Sequence, residues 1–156
     1  MTAEKPWFSD IAMPALLRHA RTTYGEAMHA ALAEAGCDDV PNNGLYILGG
    51  LAQGAGGVPL GRLAQELRVS KQAIGQLVDT LVLRGYLERA VNDEDRRKLT
   101  ITLTKRGRMA ADIQARARER IDTELLARVG AEPVAHTRRT LAALIELRRA
   151  DNEDGH

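Results

Sequence analysis

The chain has 156 residues, of which 44% are hydrophobic and 28% are charged, a balance typical of a folded globular protein rather than a disordered one. No apolar run approaches the ~18 residues that span a bilayer, and the N-terminus has neither the basic nor the apolar region of a signal peptide. We therefore expect a cytoplasmic protein that does not contact a membrane. The single cysteine, Cys37, excludes an intramolecular disulfide and a cysteine-based metal cluster.

Positive charge is concentrated in the middle of the chain, although the net charge is only +1. Residues 60–108 carry eleven lysine and arginine residues against six aspartate and glutamate residues, a balance of +5 that leaves −4 for the remainder. A basic segment attracts phosphates, so this distribution favours nucleic acid as a partner. A solvated basic face on an ordinary domain is the alternative.

Helical periodicity dominates the first third of the chain. Residues 1–12 are predicted to be an arm before a helix from Met13 to about Ala35, which has proline in its first turn. A shorter helix is predicted over residues 42–53. The glycine-rich run 54–57 predicts a loop.

The segment that follows predicts two helices separated by a short turn. Apolar residues at three- and four-residue spacing define a first helix over Leu60–Leu67 and a second that begins after Ser70. Ser70 is a favoured N-cap because its side-chain oxygen accepts a hydrogen bond from the first turn, and Gly85 is a typical stop. This order is that of a helix-turn-helix, whose second helix enters the major groove of DNA.

Two β-rich runs come next, and they flank a charged tip. Residues 86–91 and 98–103 are predicted strands, the second because apolar and polar residues alternate along it. Residues 92–97 are predicted to form the hairpin tip between them, and Val58 to add one short β pairing. A hairpin after a helix-turn-helix predicts a winged helix.

The last third predicts two long helices. Thr104 is a candidate cap for a helix that runs to about Val129, and after the break at Gly130 a last helix runs to about Ala150. We expect the polar tail 151–156 to be disordered. The apolar residues in register on the first of these helices are Met109, Ile113, Ala117, Ile121 and Leu125. Such apolar faces exceed what a winged helix needs, and burial against a second copy of the chain is their simplest use.

Together these elements predict a mainly α fold with a small β wing, in which a winged helix-turn-helix core is flanked by N- and C-terminal dimerisation helices. The predicted domains are an arm and dimerisation helix over 1–40, a DNA-binding domain over 41–104, and dimerisation helices with a polar tail over 105–156.

The start of the second helix of the helix-turn-helix carries the residues predicted to read base edges, as early residues of a recognition helix do. Glutamine pairs with adenine through two hydrogen bonds, lysine reaches guanine, and glycine permits close approach of the backbone. The predicted contacts are Ser70, Lys71, Gln72, Gly75 and Gln76. A plain exposed polar face is the alternative for the glutamines, and a capping role is the alternative for Ser70.

The run from Asp95 to Gly107 reads DRRKLTITLTKRG. It resembles the wing of the MarR family, the multiple-antibiotic-resistance type of bacterial transcriptional regulator, in which D-R-R is followed by a spacer and L-T-x-x-G. The turn Arg84-Gly85-Tyr86-Leu87 and the order of the helices also resemble the family. The pair Asp93-Glu94 departs from it, since many members carry proline there.

The resemblance implies an obligate homodimer that pairs through its first and last helices. It also implies that Arg97 enters a minor groove, whose negative potential attracts a guanidinium, while Asp95 holds Arg97 through an ion pair. An ordinary charged hairpin tip is the alternative. The further candidates for phosphate contacts are Arg62, Arg68, Arg84, Arg89, Lys98 and Lys105.

The resemblance further implies a small effector, an aromatic or phenolic anion, that binds between the dimer body and the winged helix and releases DNA. Tyrosines supply stacking faces, and an arginine supplies a partner for a carboxylate. The candidate ligand-binding residues are Arg18, His19, Tyr24, His29 and Tyr46. Core tyrosines and solvated polar side chains are the alternative.

The sequence therefore predicts a transcriptional repressor that binds a pseudo-palindromic operator as a homodimer and is released by a small ligand. Its expected partners are double-stranded DNA, a second copy and the effector. No catalytic residue, cofactor or metal is expected, because the sequence has no nucleophile elbow, phosphate-binding loop or metal cluster. The alternatives are a winged-helix protein that acts through protein interaction or non-specific DNA binding, and a redox sensor through Cys37, whose acidic neighbours oppose thiolate formation.

Overall fold

The fold is mainly helical and contains one small sheet, which confirms the predicted class. In the computed structural model, residues 4–53, 58–91, 94–95 and 99–153 are described. The helices within these ranges are α1 (Met13–Glu34), α2 (Gly44–Gln53), α3 (Leu60–Leu67), α4 (Lys71–Leu83), α5 (Lys105–Val129) and α6 (Ala131–Glu153). The strands are β1 (Val58–Pro59), β2 (Leu87–Val91) and β3 (Leu99–Leu103).

The sheet is antiparallel, with β3 between β1 and β2. Ile101 is the central residue of β3 and pairs with Val58 on one side and Arg89 on the other. Its side chain is buried, and so is that of Leu87 at the start of β2. The predicted hairpin and the short pairing of Val58 are both confirmed, and the hairpin forms the wing of a winged helix.

The core lies among α2, α4, the sheet and the first turns of α5. Ile47 and Leu48 from α2 and Ile74 and Leu81 from α4 are almost entirely removed from solvent. Each side chain of this size stabilises the fold by about 1.5–3 kcal/mol when fully buried. Because the apolar stripe of α4 faces this core, the opposite polar face of α4 is turned to solvent.

A tight turn joins α4 to the wing and carries Gly85 in the left-handed conformation, with φ of +83°. The Gly85 N–H donates to the carbonyl of Val82 at 3.0 Å, and the Tyr86 N–H donates to the carbonyl of Leu81 at 2.9 Å. These two bonds end α4. Gly85 takes the positive φ that this kind of helix end requires, and glycine adopts it without strain. The turn places the ring of Tyr86 in the core.

The start of α5 packs closely on this turn. A Cβ atom on Gly107 would lie 2.0 Å from the Tyr86 carbonyl oxygen, so only glycine fits there. The buried residues of α5 are Ala117, which belongs to the predicted register, and Gly107, Ala110, Ala111 and Gln114. The small glycine and alanine residues let the helix approach the core, while Met109 of the predicted register is 46% exposed within the chain.

Two compact units divide the chain, one ending at Arg118 and the other beginning at Glu119, so that α5 contributes to both. The second unit contains the end of α5 together with α6. It exposes at least two-fifths of six large apolar side chains, which are Leu125, Leu126, Val129, Leu144, Ile145 and Leu147.

The C-terminal helix α6 continues to Glu153, so the expectation of a disordered tail from residue 151 is wrong for residues 151–153. Residues 154–156 lie outside the described residues. Among the helices that the structure describes, none combines the length and the apolar character that a membrane crossing requires.

Candidate nucleic-acid interface

The first turn of α4 is fixed by the side chain of Ser70. Its Oγ accepts a hydrogen bond from the backbone N–H of Ala73 at 3.1 Å, and its backbone is extended, with φ −64° and ψ 154°. Ser70 is therefore an N-cap, as predicted, and such a cap contributes about 1 kcal/mol to helix stability. Because the N-cap fixes where α4 begins, it also fixes the direction in which the first side chains of α4 project.

The solvent face of α4 brings together the residues predicted to read bases. Lys71, Gln72 and Gln76 are exposed, while Ile74 on the opposite side is fully buried. A Cβ atom on Gly75 would have no neighbour within 4 Å, so packing within the chain does not require glycine there. This face presents amide and ammonium groups, the donors and acceptors that match base edges.

Three of the predicted cationic contacts line one cleft beside the capped end. Arg62 from α3, Arg68 from the turn and Lys71 from α4 surround a space of about 570 Å³. Arg68 has φ of +52°, a left-handed conformation that costs an ordinary side chain about 1–2 kcal/mol. An arginine held at a position where glycine is less strained is a candidate for function.

Arg84 lies at the other end of α4, away from the capped turn. Its guanidinium donates to the backbone carbonyl of Asp39. A helix of 13 residues is about 20 Å long, so Arg84 is separated from Ser70 by that distance. In the structure the Arg84 guanidinium is therefore bonded within the protein, and its role as a phosphate contact stays a prediction.

The wing tip is described only in part. Asp95 is half-buried and lies within the described residues, whereas Arg97 and Lys98 lie outside them. The ion pair between Asp95 and Arg97 and the minor-groove contact of Arg97 therefore stay predictions.

An ion pair links α4 to the wing, and the sequence prediction missed one of its members. Arg89 on β2 donates from Nη2 to Oδ1 of Asp79 on α4. Asp79 is three residues beyond Gln76, hence on the same helix face. That spacing is visible in the sequence and is the signal that would have identified Asp79.

Residues 38–98 match the model of the MarR family, and over this segment the chain is similar to that family. The matched residues run from the linker before α2 to the wing, so they contain α3, α4 and the face described above.

Solved structures resemble the chain over most of its length. A Staphylococcus aureus MepR–DNA complex has a TM-score of 0.73 at 17% identity, covering 88% of this chain and 98% of that one. Streptococcus pneumoniae FabT in complex with DNA has a TM-score of 0.71 at 18% identity, covering 89% and 99%. Apo MarR from E. coli has a TM-score of 0.63 at 20% identity, covering 86% and 97%. These likenesses show the fold. No curated protein matches the sequence.

A polar cluster joins the linker before α2 to the end of α4 and the start of α5. The carboxylate of Asp39 accepts from the Tyr86 hydroxyl and, at 3.3 Å, from Nη2 of Arg106. Arg106 also stacks over the ring of Tyr86, 4.3 Å from its centroid, and donates to the Arg84 carbonyl. We call Asp39, Arg84, Tyr86 and Arg106 the Asp39 cluster.

The Asp39 cluster shifts the acidities of its members. The Tyr86 hydroxyl, followed by the charges of Arg106 and Arg84, holds the pKa of Asp39 below its usual 3.8. Burial and the hydrogen bond to Asp39 raise the pKa of Tyr86 above its usual 10.0. Both shifts favour a neutral phenol that donates to an ionised carboxylate.

The predicted ligand residues are only partly brought together. Arg18 and His29 from α1 and Tyr46 from α2 line a cavity of about 320 Å³, whereas His19 and Tyr24 are not among its lining residues. The sequence prediction missed Arg21, whose guanidinium stacks 4.5 Å from the centroid of the Tyr46 ring and donates to the Tyr46 hydroxyl. Arg21 lies one helical turn after Arg18, a signal that the sequence contains.

The remaining candidate chemistry is constrained by burial. Cys37 is a free thiol that is only 2% exposed and neighbours Tyr86. A reactive thiol needs access to its oxidant, so this burial opposes a sensor role. Across the part of the chain that the structure describes, no group of three or more histidine, cysteine or acidic side chains is placed to hold a metal ion.

Proposed function

We propose that this protein is a MarR-family transcriptional repressor that binds a pseudo-palindromic operator as a homodimer and is released by a small aromatic or phenolic anion. The observation that carries the proposal is the polar face of α4, which begins at a capped turn beside a cleft lined by three cations. Polar groups that reach base edges, next to cations that reach phosphates, are the two parts of a sequence-reading interface.

Contacts are assigned to residues as follows. Lys71, Gln72 and Gln76 read bases in the major groove, and Gly75 lets the backbone of α4 approach them. Arg62 and Arg68 bind phosphates at the edge of the groove, and Arg97 from the wing enters the adjacent minor groove. The structures of MepR and FabT in complex with DNA support this assignment through their shared fold.

Dimerisation is supported by the exposed apolar side chains of the second unit. Monomeric proteins rarely expose a contiguous apolar surface of this kind, and a second copy supplies a matching one through twofold symmetry. A twofold dimer presents two reading helices, so the half-sites of the operator lie about one helical turn, ~10 base pairs, apart.

Ligand binding is assigned to the cavity between α1 and α2. The guanidinium groups of Arg18 and Arg21 suit a carboxylate or phenolate, and the ring of Tyr46 supplies a stacking face. A ligand that competes for Arg21 would have to separate it from Tyr46, which gives the cavity a measurable response. Tyrosine fluorescence and release of bound DNA by a panel of benzoates and hydroxybenzoates test this assignment.

The main experiment selects bound duplexes from a random library and then measures affinity by fluorescence anisotropy with excess competitor DNA. We expect one pseudo-palindromic sequence to be enriched and to stay bound in competitor. Enrichment of no sequence, with binding lost to competitor, would favour the alternative of non-specific DNA coating and overturn the proposal.

The wing assignment has its own variant. Arg97→Ala removes the guanidinium assigned to the minor groove, so we expect more than tenfold weaker binding to the selected operator. Arg128→Ala is the matched control, because Arg128 is an exposed arginine near the end of α5 that lies outside the assigned contacts. Equal dissociation constants for Arg97→Ala and the unmodified protein would contradict the wing assignment.

A further inference from the structure

The ion pair between Asp79 and Arg89 places a carboxylate on the face of α4 that the proposed function turns toward DNA. Asp79 follows Gln72 and Gln76 at the spacing that keeps a residue on one face of a helix, and its side chain is 65% exposed. A carboxylate near phosphates is repelled by them, so its presence on this face needs a reason.

The position of Arg89 supplies that reason. Arg89 pairs with Ile101 across the antiparallel sheet, and residues directly opposite each other project to the same face. The side chain of Ile101 is buried, so Arg89 lies on the sheet face turned toward the core, and only 33% of its side chain is exposed. Its guanidinium reaches the solvent face of α4 at Asp79.

The chemistry of the guanidinium leaves it free to do more than neutralise Asp79. A guanidinium has five N–H donors in a planar fork, and the bond from Nη2 to Asp79 uses one of them. An arginine held by a carboxylate loses fewer conformations when it meets a phosphate, because its side chain is already ordered.

We propose that Asp79 is a positioning residue that holds Arg89 against α4, so that the Arg89 guanidinium contacts a phosphate between the major-groove and minor-groove contacts. The inference rests on the proposed function, because it assigns one more contact to the same interface. It also makes the wing and α4 act as one reading surface, since each supplies one member of the pair.

The sign of one substitution separates this proposal from simple repulsion. Asp79→Asn removes the negative charge and nearly preserves the shape of the side chain. If Asp79 only repels DNA, Asp79→Asn tightens binding. If Asp79 positions Arg89, the substitution weakens binding about threefold to tenfold, because Arg89 is released from its ordered position.

A double-mutant cycle with Arg89→Gln tests the mechanism. We expect Arg89→Gln alone to weaken binding at least tenfold and to reduce the slope of log affinity against log salt by about one, as the loss of one phosphate contact does. In the Arg89→Gln background, Asp79→Asn has no positioning role to lose, so it is expected to leave binding unchanged or to tighten it. Loss of the weakening effect of Asp79→Asn in the Arg89→Gln background is the signature of positioning.

Two further variants control for charge and for folding. Asp112→Asn on α5 removes the same charge from another exposed carboxylate and is expected to leave the affinity within twofold. Asp79→Glu keeps the carboxylate and is expected to restore most of the affinity that Asp79→Asn loses. Equal melting temperatures for these variants would show that the affinities report contacts rather than unfolding.

The outcomes are distinct. Tighter binding by Asp79→Asn in the unmodified background, or an unchanged salt slope for Arg89→Gln, overturns the positioning role while leaving the proposed function intact. Failure of the unmodified protein to bind any selected operator overturns both.

Discussion

Gly75 is a helix-interior glycine that packing within the fold does not explain and that the proposed DNA contact does explain. Glycine in a helix interior costs about 0.5–1 kcal/mol relative to alanine. A Cβ atom there would meet nothing within 4 Å, so no contact within the described protein compensates for that cost. In the proposed complex, close approach of a DNA backbone or base to α4 compensates for it.

Gly75→Ala is therefore expected to change stability and affinity in opposite directions. We expect the free energy of unfolding to rise by about 0.5–1 kcal/mol, because alanine is the better helix former. We expect the affinity for operator DNA to fall, because the added methyl group occupies the approach space. Urea unfolding and anisotropy titration measure the two effects. An alanine variant that is more stable and binds DNA equally well would contradict close approach at this position.

At the scale of elements, the Asp39 cluster fixes how three segments meet. The side chains of Arg84 and Arg106 bring the end of α4 and the start of α5 to the linker before α2. The same linker contributes Asn42 and Asn43 to the cavity assigned to the ligand. A single residue, Asp39, thus ties the segment that borders the cavity to the end of the helix assigned to read DNA, through its backbone carbonyl and its carboxylate.

The Asp39 cluster predicts a dependence of stability on pH. The pKa of Asp39 is held below 3.8 in the folded chain, so folding favours the ionised carboxylate. The unfolded chain takes up the proton first as pH falls, and the stabilisation is present above about pH 4 and lost below it. Asp39→Asn removes this titration, and we expect a flatter loss of stability between pH 5 and pH 3.

Urea unfolding midpoints across that range measure the effect. Asp38→Asn is the matched control, because Asp38 is the adjacent exposed carboxylate and lies outside the cluster. Identical acid limbs for Asp39→Asn and the unmodified protein would contradict a stabilising role for the ionised cluster.

The limits of sequence prediction follow from the range of the interactions involved. The ends of α4 were predictable because Ser70 and Gly85 act within one helical turn. The Asp39 cluster was not, since its hydrogen bonds join residues separated by 22 to 67 positions. The burial of Ala110 and Ala111 was not predicted, because the apolar pattern weighs residue size, whereas α5 packs closely beside Gly107 where only small side chains fit.

The predicted ligand residues divide in the same way. Arg18, His29 and Tyr46 were found because aromatic and cationic residue types in the first two helices are visible in the sequence. Arg21 was missed because its importance comes from Tyr46, which belongs to another helix. Only the packing of α1 against α2 shows which arginine meets which ring.

For the whole molecule, the question is what covers the apolar residues of the second unit. Leu126, Leu144 and Ile145 are each more than 45% exposed, and each would gain about 25 cal/mol per Å² of apolar surface if it were buried. Obligate dimers use surfaces of this composition, because the apolar area outweighs the entropy lost on association. Twofold pairing also doubles the number of DNA contacts without adding a residue to the chain.

Ile145→Lys tests whether a second copy of the chain covers these apolar residues. A buried ammonium at an apolar interface lacks a partner, so we expect the variant to have the 17.0 kDa mass of one chain and the unmodified protein to have twice that mass. The control, Leu83→Lys, makes the same change at an 87% exposed leucine of the first unit and is expected to stay dimeric. Sedimentation velocity gives the masses, and helical circular dichroism reports the fold.

A monomeric Ile145→Lys that binds the full operator as tightly as the unmodified protein would show that the two half-sites are read independently. A dimeric Ile145→Lys would show that this unit is covered in another way.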